Sequence, residues 1–144
     1  PDSLEIPLKG KASRAYLLMA GSTNHMQCHI DNGVIRIYYK DGTRDVMFLR
    51  NPDNWPPIEH IFFEDGLAFN RHTPALYRLR LKTGEISNNF GEELGFPGAS
   101  RELDGGAAVL LEMPLNPGKK LSHLVLETLS NDVVIGLMSI TLQR

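Results

Sequence analysis

The stretch from Gly33 to Phe63 reads GVIRIYYKDGTRDVMFLRNPDNWPPIEHIFF, and its interpretation sets the fold. Two alternating apolar runs, Val34–Tyr39 and Val46–Leu49, flank Asp41-Gly42. Asp-Gly between such runs is the strongest short-range hairpin signal, because a two-residue type I′ turn needs positive φ at both central positions. With Asp41 and Gly42 in those positions, Lys40 faces Thr43, Ile37 faces Val46 and Ile35 faces Phe48. The last two pairs and Tyr39 then share the core side, while Arg36, Tyr38, Lys40 and Asp45 share the wetter side. Downstream, Asn51-Pro52 and Pro56-Pro57 forbid a regular ladder and make a loop around Trp55, the one tryptophan.

Outward from this hairpin the chain reads as strands and turns. Ser3–Leu8 alternates but is broken by Pro7, as suits an edge strand. Arg14–Ala20 fits a buried strand or a short helix, which periodicity does not separate over so short a run. Met26–Ile30 is a weak strand ending at a turn over Asp31-Asn32-Gly33. Ile58–Phe63 resumes a strand before a turn at Asp65-Gly66. Leu76–Lys82 alternates with Tyr77, Leu79 and Leu81 inward and Arg78, Arg80 and Lys82 outward; Thr83-Gly84 then turns it toward Ile86. Ser87–Gly106 is the loosest segment, and within it Glu92–Leu103 is the only candidate for a helix of the length an α/β fold needs. Ala107–Met113 has buried-strand length, and Asn116-Pro117-Gly118 turns it into Leu121–Leu129. The β-branched Asp132–Leu142 closes the chain and reads as a central, fully buried strand. Roughly eight to eleven short strands punctuated by Gly, Pro, Asn and Asp predict an all-β fold, an antiparallel β-sandwich of jelly-roll type.

Composition narrows the function classes. The 144 residues predict one domain, 1–144, large enough for a core without disulfide or metal. It starts without Met and without a charged-then-apolar leader, which fits a piece of a longer protein. Apolar content of 42% and charged content of 22% are ordinary for a globular domain. A net charge of −2 gives no electrostatic footprint for nucleic acid. No apolar run is long enough to insert into a membrane. The single Cys28 excludes an intramolecular disulfide and a cysteine-rich metal site.

Catalytic signatures are weak. Glycoside hydrolysis needs two carboxylates facing each other across a cleft. Asp53, Glu59, Glu64 and Asp65 lie near one another in sequence but read more simply as loop charges. His25 and His29, on a strand, would stand about 13 Å apart, too far to share a metal. No nucleophile elbow and no phosphate-cradling loop before a helix occur. Carbohydrate recognition needs aromatic faces against sugar rings, with polar side chains around the rim. Trp55, Asn51, Asn54, Glu59, His60, Tyr38, Arg71, His72 and Tyr77 supply those types and are the candidate binding residues. The plainer alternative makes Trp55 a plug that packs the loop onto the sandwich, its indole N–H bonding a backbone carbonyl. No cofactor is expected. Ca²⁺ is the one candidate, at Asp41-Gly42-Thr43 or Asp31-Asn32-Gly33, both of which are also explained as turns.

Several phrases, in order, resemble the C-terminal β-sandwich (jelly-roll, galactose-binding-like) region of large secreted bacterial proteins associated with glycan degradation, an uncharacterised family. They are Gly10-Lys11-Ala12 before LLMAGSTN at Leu17–Asn24, Asn32-Gly33-Val34, Tyr39-Lys40-Asp41-Gly42-Thr43, Leu49-Arg50-Asn51-Pro52 with Asn54-Trp55, and Pro57-Ile58-Glu59. Asp104-Gly105-Gly106-Ala107 and the closing LVLETLSNDVVIGLMSITL at Leu124–Leu142 are similar as well. Relatives carry more aromatics after the Asn-Trp pair, where this chain has Pro56, His60 and Ile61-Phe62. The resemblance implies a periplasmic or extracellular accessory domain beside a catalytic domain of the same polypeptide. The expected function is therefore a non-catalytic accessory module of a glycan-processing protein, with a poly- or oligosaccharide as a candidate ligand. The alternatives are a small glycan-active hydrolase or lyase using the Glu59-His60 region, and a purely structural interface domain.

Overall fold

The computed structural model describes residues 2–23, 27–62, 72–90 and 100–144. Among them the named elements are all strands: β1 Ser3–Pro7, β2 Arg14–Ser22, β3 Asp31–Tyr39, β4 Arg44–Arg50, β5 His60–Phe62, β6 Arg78–Arg80, β7 Ile86–Ser87, β8 Ser100–Glu102, β9 Ala107–Pro114, β10 Leu121–Thr128 and β11 Val134–Gln143. One sheet has the order β1-β10-β3-β4, a second β11-β2-β9-β6-β7, and β5 and β8 pair separately. Neighbours run antiparallel throughout. The two larger sheets pack face to face as an antiparallel β-sandwich.

The core follows from alternation in the longer strands. Ala15, Leu17 and Met19 of β2 line up across the ladder with Met113, Leu111 and Val109 of β9, on one face of the second sheet. Ile35 and Ile37 of β3 stand beside Leu126 and Leu124 of β10 in the first. These two rows form one buried cluster with Leu49, Trp55 and Leu121. Burying side chains of this size stabilises by about 1.5–3 kcal/mol each, the main force holding the sheets together.

The hairpin forms where Asp-Gly predicts it, but its register is one residue away from a two-residue turn. Tyr38 faces Arg44, Ile37 faces Asp45, Ile35 faces Met47 and Val34 faces Phe48. The loop has three residues: Gly42 N–H donates to Tyr39 O at 3.1 Å and Tyr39 N–H to Thr43 O at 2.9 Å. Only Gly42 takes positive φ, +85°. Asp41 acts through its side chain instead, accepting from the Thr43 N–H at 2.9 Å and hydroxyl at 2.6 Å. This is a type I turn closed by a glycine bulge. A one-residue slip turns β4 over. Val46 and Phe48 stand on the outer face, 42% and 47% exposed, and Asp45 turns inward to accept from the Tyr39 hydroxyl.

Other expectations change in the same way. Asp31-Asn32-Gly33 opens β3 rather than turning, with a bulge between Asp31 and Gly33. Buried Asn32 donates to Gln27 O at 3.0 Å and Ile30 O at 2.9 Å and accepts from Thr23 Oγ1, so a polar network does the work of the turn. Met26 lies outside the described residues, and Cys28 makes only a single bridge, to Asn51. The 76–82 alternation is real but opposite in phase. Arg78 is buried opposite Val109, and Tyr77 and Leu81 are exposed. The final strand is an edge, not a centre: β11 flanks β2 alone, and Val134 and Met138 are exposed. β-branched content marks a strand without marking its place in the sheet.

Candidate functional site

The loop that leaves β4 carries four of the nine candidate residues, Asn51, Asn54, Trp55 and Glu59, and is built as a closure of the sandwich end. Asn54 turns it: its Oδ1 accepts from Arg50 N–H at 2.7 Å and its Nδ2 donates to Phe48 O at 2.8 Å. Arg50 O receives the N–H of Asn54 at 3.0 Å and of Trp55 at 3.1 Å. Trp55 then enters the core with none of its surface exposed. Its ring lies over Gly21, where a Cβ would collide with Val134 O and stand 2.6 Å from the indole Cζ2. The backbone beyond it is pinned on both sides, Ile58 N–H to Gly21 O at 2.8 Å and Ala107 N–H to Ile58 O at 2.7 Å. Trp55 is thus the plug of the plainer expectation, with one difference. Its buried indole N–H has no hydrogen-bond partner among the described residues, where a carbonyl bond was expected.

Arg78 completes the closure from β6. Its Nη2 donates to Pro57 O at 2.9 Å and Ala107 O at 3.0 Å, joining the loop to β9. Burial pushes the guanidinium down to about 10, against the opposing pull of Glu59. Glu59, half-buried, therefore serves as the nearby countercharge, and its carbonyl accepts from Leu103 N–H at 2.6 Å. Asn51 is fully buried and donates to Cys28 Sγ at 3.4 Å. Its peptide with Pro52 is cis. His60 has its backbone in β5, opposite Glu102. Arg71, with Glu64 and Asp65, lies outside the described residues.

The three remaining candidates stand on three different surfaces. Tyr38 is half-buried on the outer face of the first sheet, stacked on His123 with ring centroids 4.6 Å apart and planes 9° apart. Arg44 donates to its hydroxyl at 3.1 Å. Tyr77 is 53% exposed on the outer face of the second sheet. There, with Leu18, Leu79, Ile86, Leu110 and Ser139, it lines a groove of about 230 Å³. His72 is exposed in the segment before β6, and its N–H donates to Asp53 Oδ1 at 2.7 Å. Among the described side chains, the aromatic and polar candidates do not converge on one site.

Two features of these outer faces escaped the sequence. His123 meets Tyr38 only through the β10–β3 register, which no local pattern announces. The groove on the second sheet is written in the 77–81 alternation but requires its phase, which buried Arg78 reverses. The arrangement offers two surfaces for contact: an apolar groove and a mixed aromatic-cationic patch. Comparison with protein-family models, with curated proteins and with solved structures found no match to this chain.

Proposed function

We propose that this chain is a non-catalytic accessory module of a bacterial glycan-processing protein, docking beside a catalytic domain of the same polypeptide. The observation that carries the reading is the outer face of the second sheet, where Ile86 is 65% exposed, Tyr77 53% and Leu110 37% around the groove. A contiguous apolar surface of this kind marks a contact with another macromolecular surface. The burial of Trp55 supports packing over a sugar platform on the loop, since an indole at the sandwich core offers no face to a ligand. The jelly-roll and galactose-binding-like assignment, and the periplasmic or extracellular location, rest on the sequence resemblance.

The test is to produce this chain and the neighbouring catalytic domain of its parent polypeptide separately and measure their association by sedimentation. Ile86→Glu with Leu110→Glu should weaken association at least tenfold while leaving the circular dichroism spectrum unchanged. Association that ignores both substitutions, or no association of the unsubstituted pair, refutes docking through this face.

Carbohydrate contact is the second reading, and it belongs to the patch of Tyr38, His123 and Arg44 rather than to Trp55. The observation favouring it is the aromatic stack with a guanidinium 5.8 Å above the Tyr38 ring, which combines apolar and hydrogen-bonding groups. Glycan titrations followed by NMR should then perturb Tyr38 and His123 and leave Trp55 emission unmoved.

A further inference from the structure

Three side chains with metal-ligating groups, distant in sequence, meet at the loop end of the sandwich. His29 lies in the turn before β3, Asp53 in the loop after β4, and His72 in the segment before β6. One ligand atom from each lies within 4.8 Å of the other two. The rings of His29 and His72 are 5.0 Å apart between centroids and tilted by 57°. His72 Nδ1 stands 3.6 Å from Asp53 Oδ1.

These distances have a chemical meaning. Tetrahedral zinc with bonds of about 2.0–2.2 Å holds its ligand atoms roughly 3.3–3.6 Å apart. Asp53 and His72 already stand at that spacing, and the His29 ligand atom lies within 4.8 Å of both. Hydrogen bonds link the three segments to one another and to Asn51. His29 N–H donates to Asn51 O at 2.8 Å, with His29 itself in the left-handed region at φ +57°. Asp53 Oδ1 is oriented by the His72 N–H at 2.7 Å, and Asp53 O accepts from the Thr73 hydroxyl at 3.1 Å. Metal-binding carboxylates are typically oriented by hydrogen bonds of this kind. The Asp53 side chain is 14% exposed and that of His72 65%, so the cluster has one sheltered side and one open to solvent.

We propose that His29, Asp53 and His72 form a binding site for a divalent transition metal, zinc being the best match. Two imidazoles and one carboxylate suit zinc and its neighbours. Ca²⁺ and Mg²⁺ favour oxygen ligands and are rejected by this set. Three protein ligands leave one coordination position facing solvent. The metal ties three loops into one end of the sandwich, next to the Trp55 closure.

The experiment uses the untagged chain, stripped with chelator, desalted and titrated calorimetrically with ZnCl2, CaCl2 and MgCl2. The expected result is saturable binding of one Zn²⁺ per chain and none of Ca²⁺ or Mg²⁺, with a melting temperature that rises on adding zinc. His29→Ala and His72→Ala should each raise the Kd at least about tenfold, since loss of an outer-shell partner alone costs 10–100-fold. His123→Ala, outside the cluster, should leave the Kd unchanged. His72 is exposed, so His72→Ala retains the fold and remains informative if His29→Ala does not. An absence of saturable zinc binding, or zinc binding equally tight in His72→Ala, overturns the proposal.

Discussion

Replacing Trp55 with alanine tests the closure of the sandwich directly. The indole is fully buried, the largest such side chain in the described core, and lies over Gly21 with no Cβ between them. Removing a buried Trp costs about 3–5 kcal/mol, from lost transfer free energy and from the cavity that remains. Against a typical total of about 5–15 kcal/mol, that is a large fraction of the stability. Trp55→Phe isolates a second quantity. It gives up part of the apolar area, but it also removes an N–H buried without a partner among the described residues, a defect worth about 1–3 kcal/mol. The two effects oppose, and the net change should stay within about 1.5 kcal/mol. Urea unfolding followed by circular dichroism reads both variants without depending on the fluorophore. The melting temperature of Trp55→Ala should fall by roughly 10–20 °C. A loss below about 1 kcal/mol for the alanine variant would refute the plug and return Trp55 to the surface as a ligand contact.

Two further perturbations probe the polar fixtures. Arg78→Met removes the donor shared by Pro57 O and Ala107 O and should destabilise by about 1–3 kcal/mol in the same urea assay. A gain in stability would instead show that the cost of burying the guanidinium exceeds its hydrogen bonds. Asp41 is held down at about 2, from an ordinary value of 3.8, by the Thr43 hydroxyl and N–H and then by Lys119. Its folded value is depressed, so its contribution is present above about pH 4 and fades as the pH falls toward 2. Melting curves across that window should drop less steeply for Asp41→Asn than for the parent, and parallel curves would refute the role.

The architecture was legible because alternation and turn residues are local signals. The two hairpin strands β3 and β4, the β9 run and the Asp-Gly turn all declare themselves within a few neighbouring residues. Facing was harder, because it depends on which partner each strand meets. The hairpin signal could not show that Asp41 would bond Thr43 with its side chain, which lengthens the loop and turns Val46 and Phe48 outward. The 77–82 alternation could not reveal that carbonyls from the Pro57 loop and β9 would draw Arg78 inward. The tryptophan loop was recognisable as special in composition, yet its plug role depends on Gly21, distant in the chain. The His29, Asp53 and His72 grouping is invisible to spacing rules for the same reason: each member comes from a different segment.

The strand order also dictates how the molecule can assemble in time. β1 pairs with β10, and β2 sits between β9 and β11, so neither large sheet can be completed until nearly the whole sequence is present. Among the described strands, only β3–β4 and β6–β7 join neighbours consecutive in the chain, and a lone two-stranded hairpin is marginal in water. During synthesis the amino-terminal strands must therefore wait, with their apolar faces open, for partners made last. Loop closure over such separations places the chain among slow folders, in the millisecond-to-second range. The side chains most exposed to misassembly in that interval include Leu17, Met19, Val34, Ile35 and Ile37, all of which later lie fully buried.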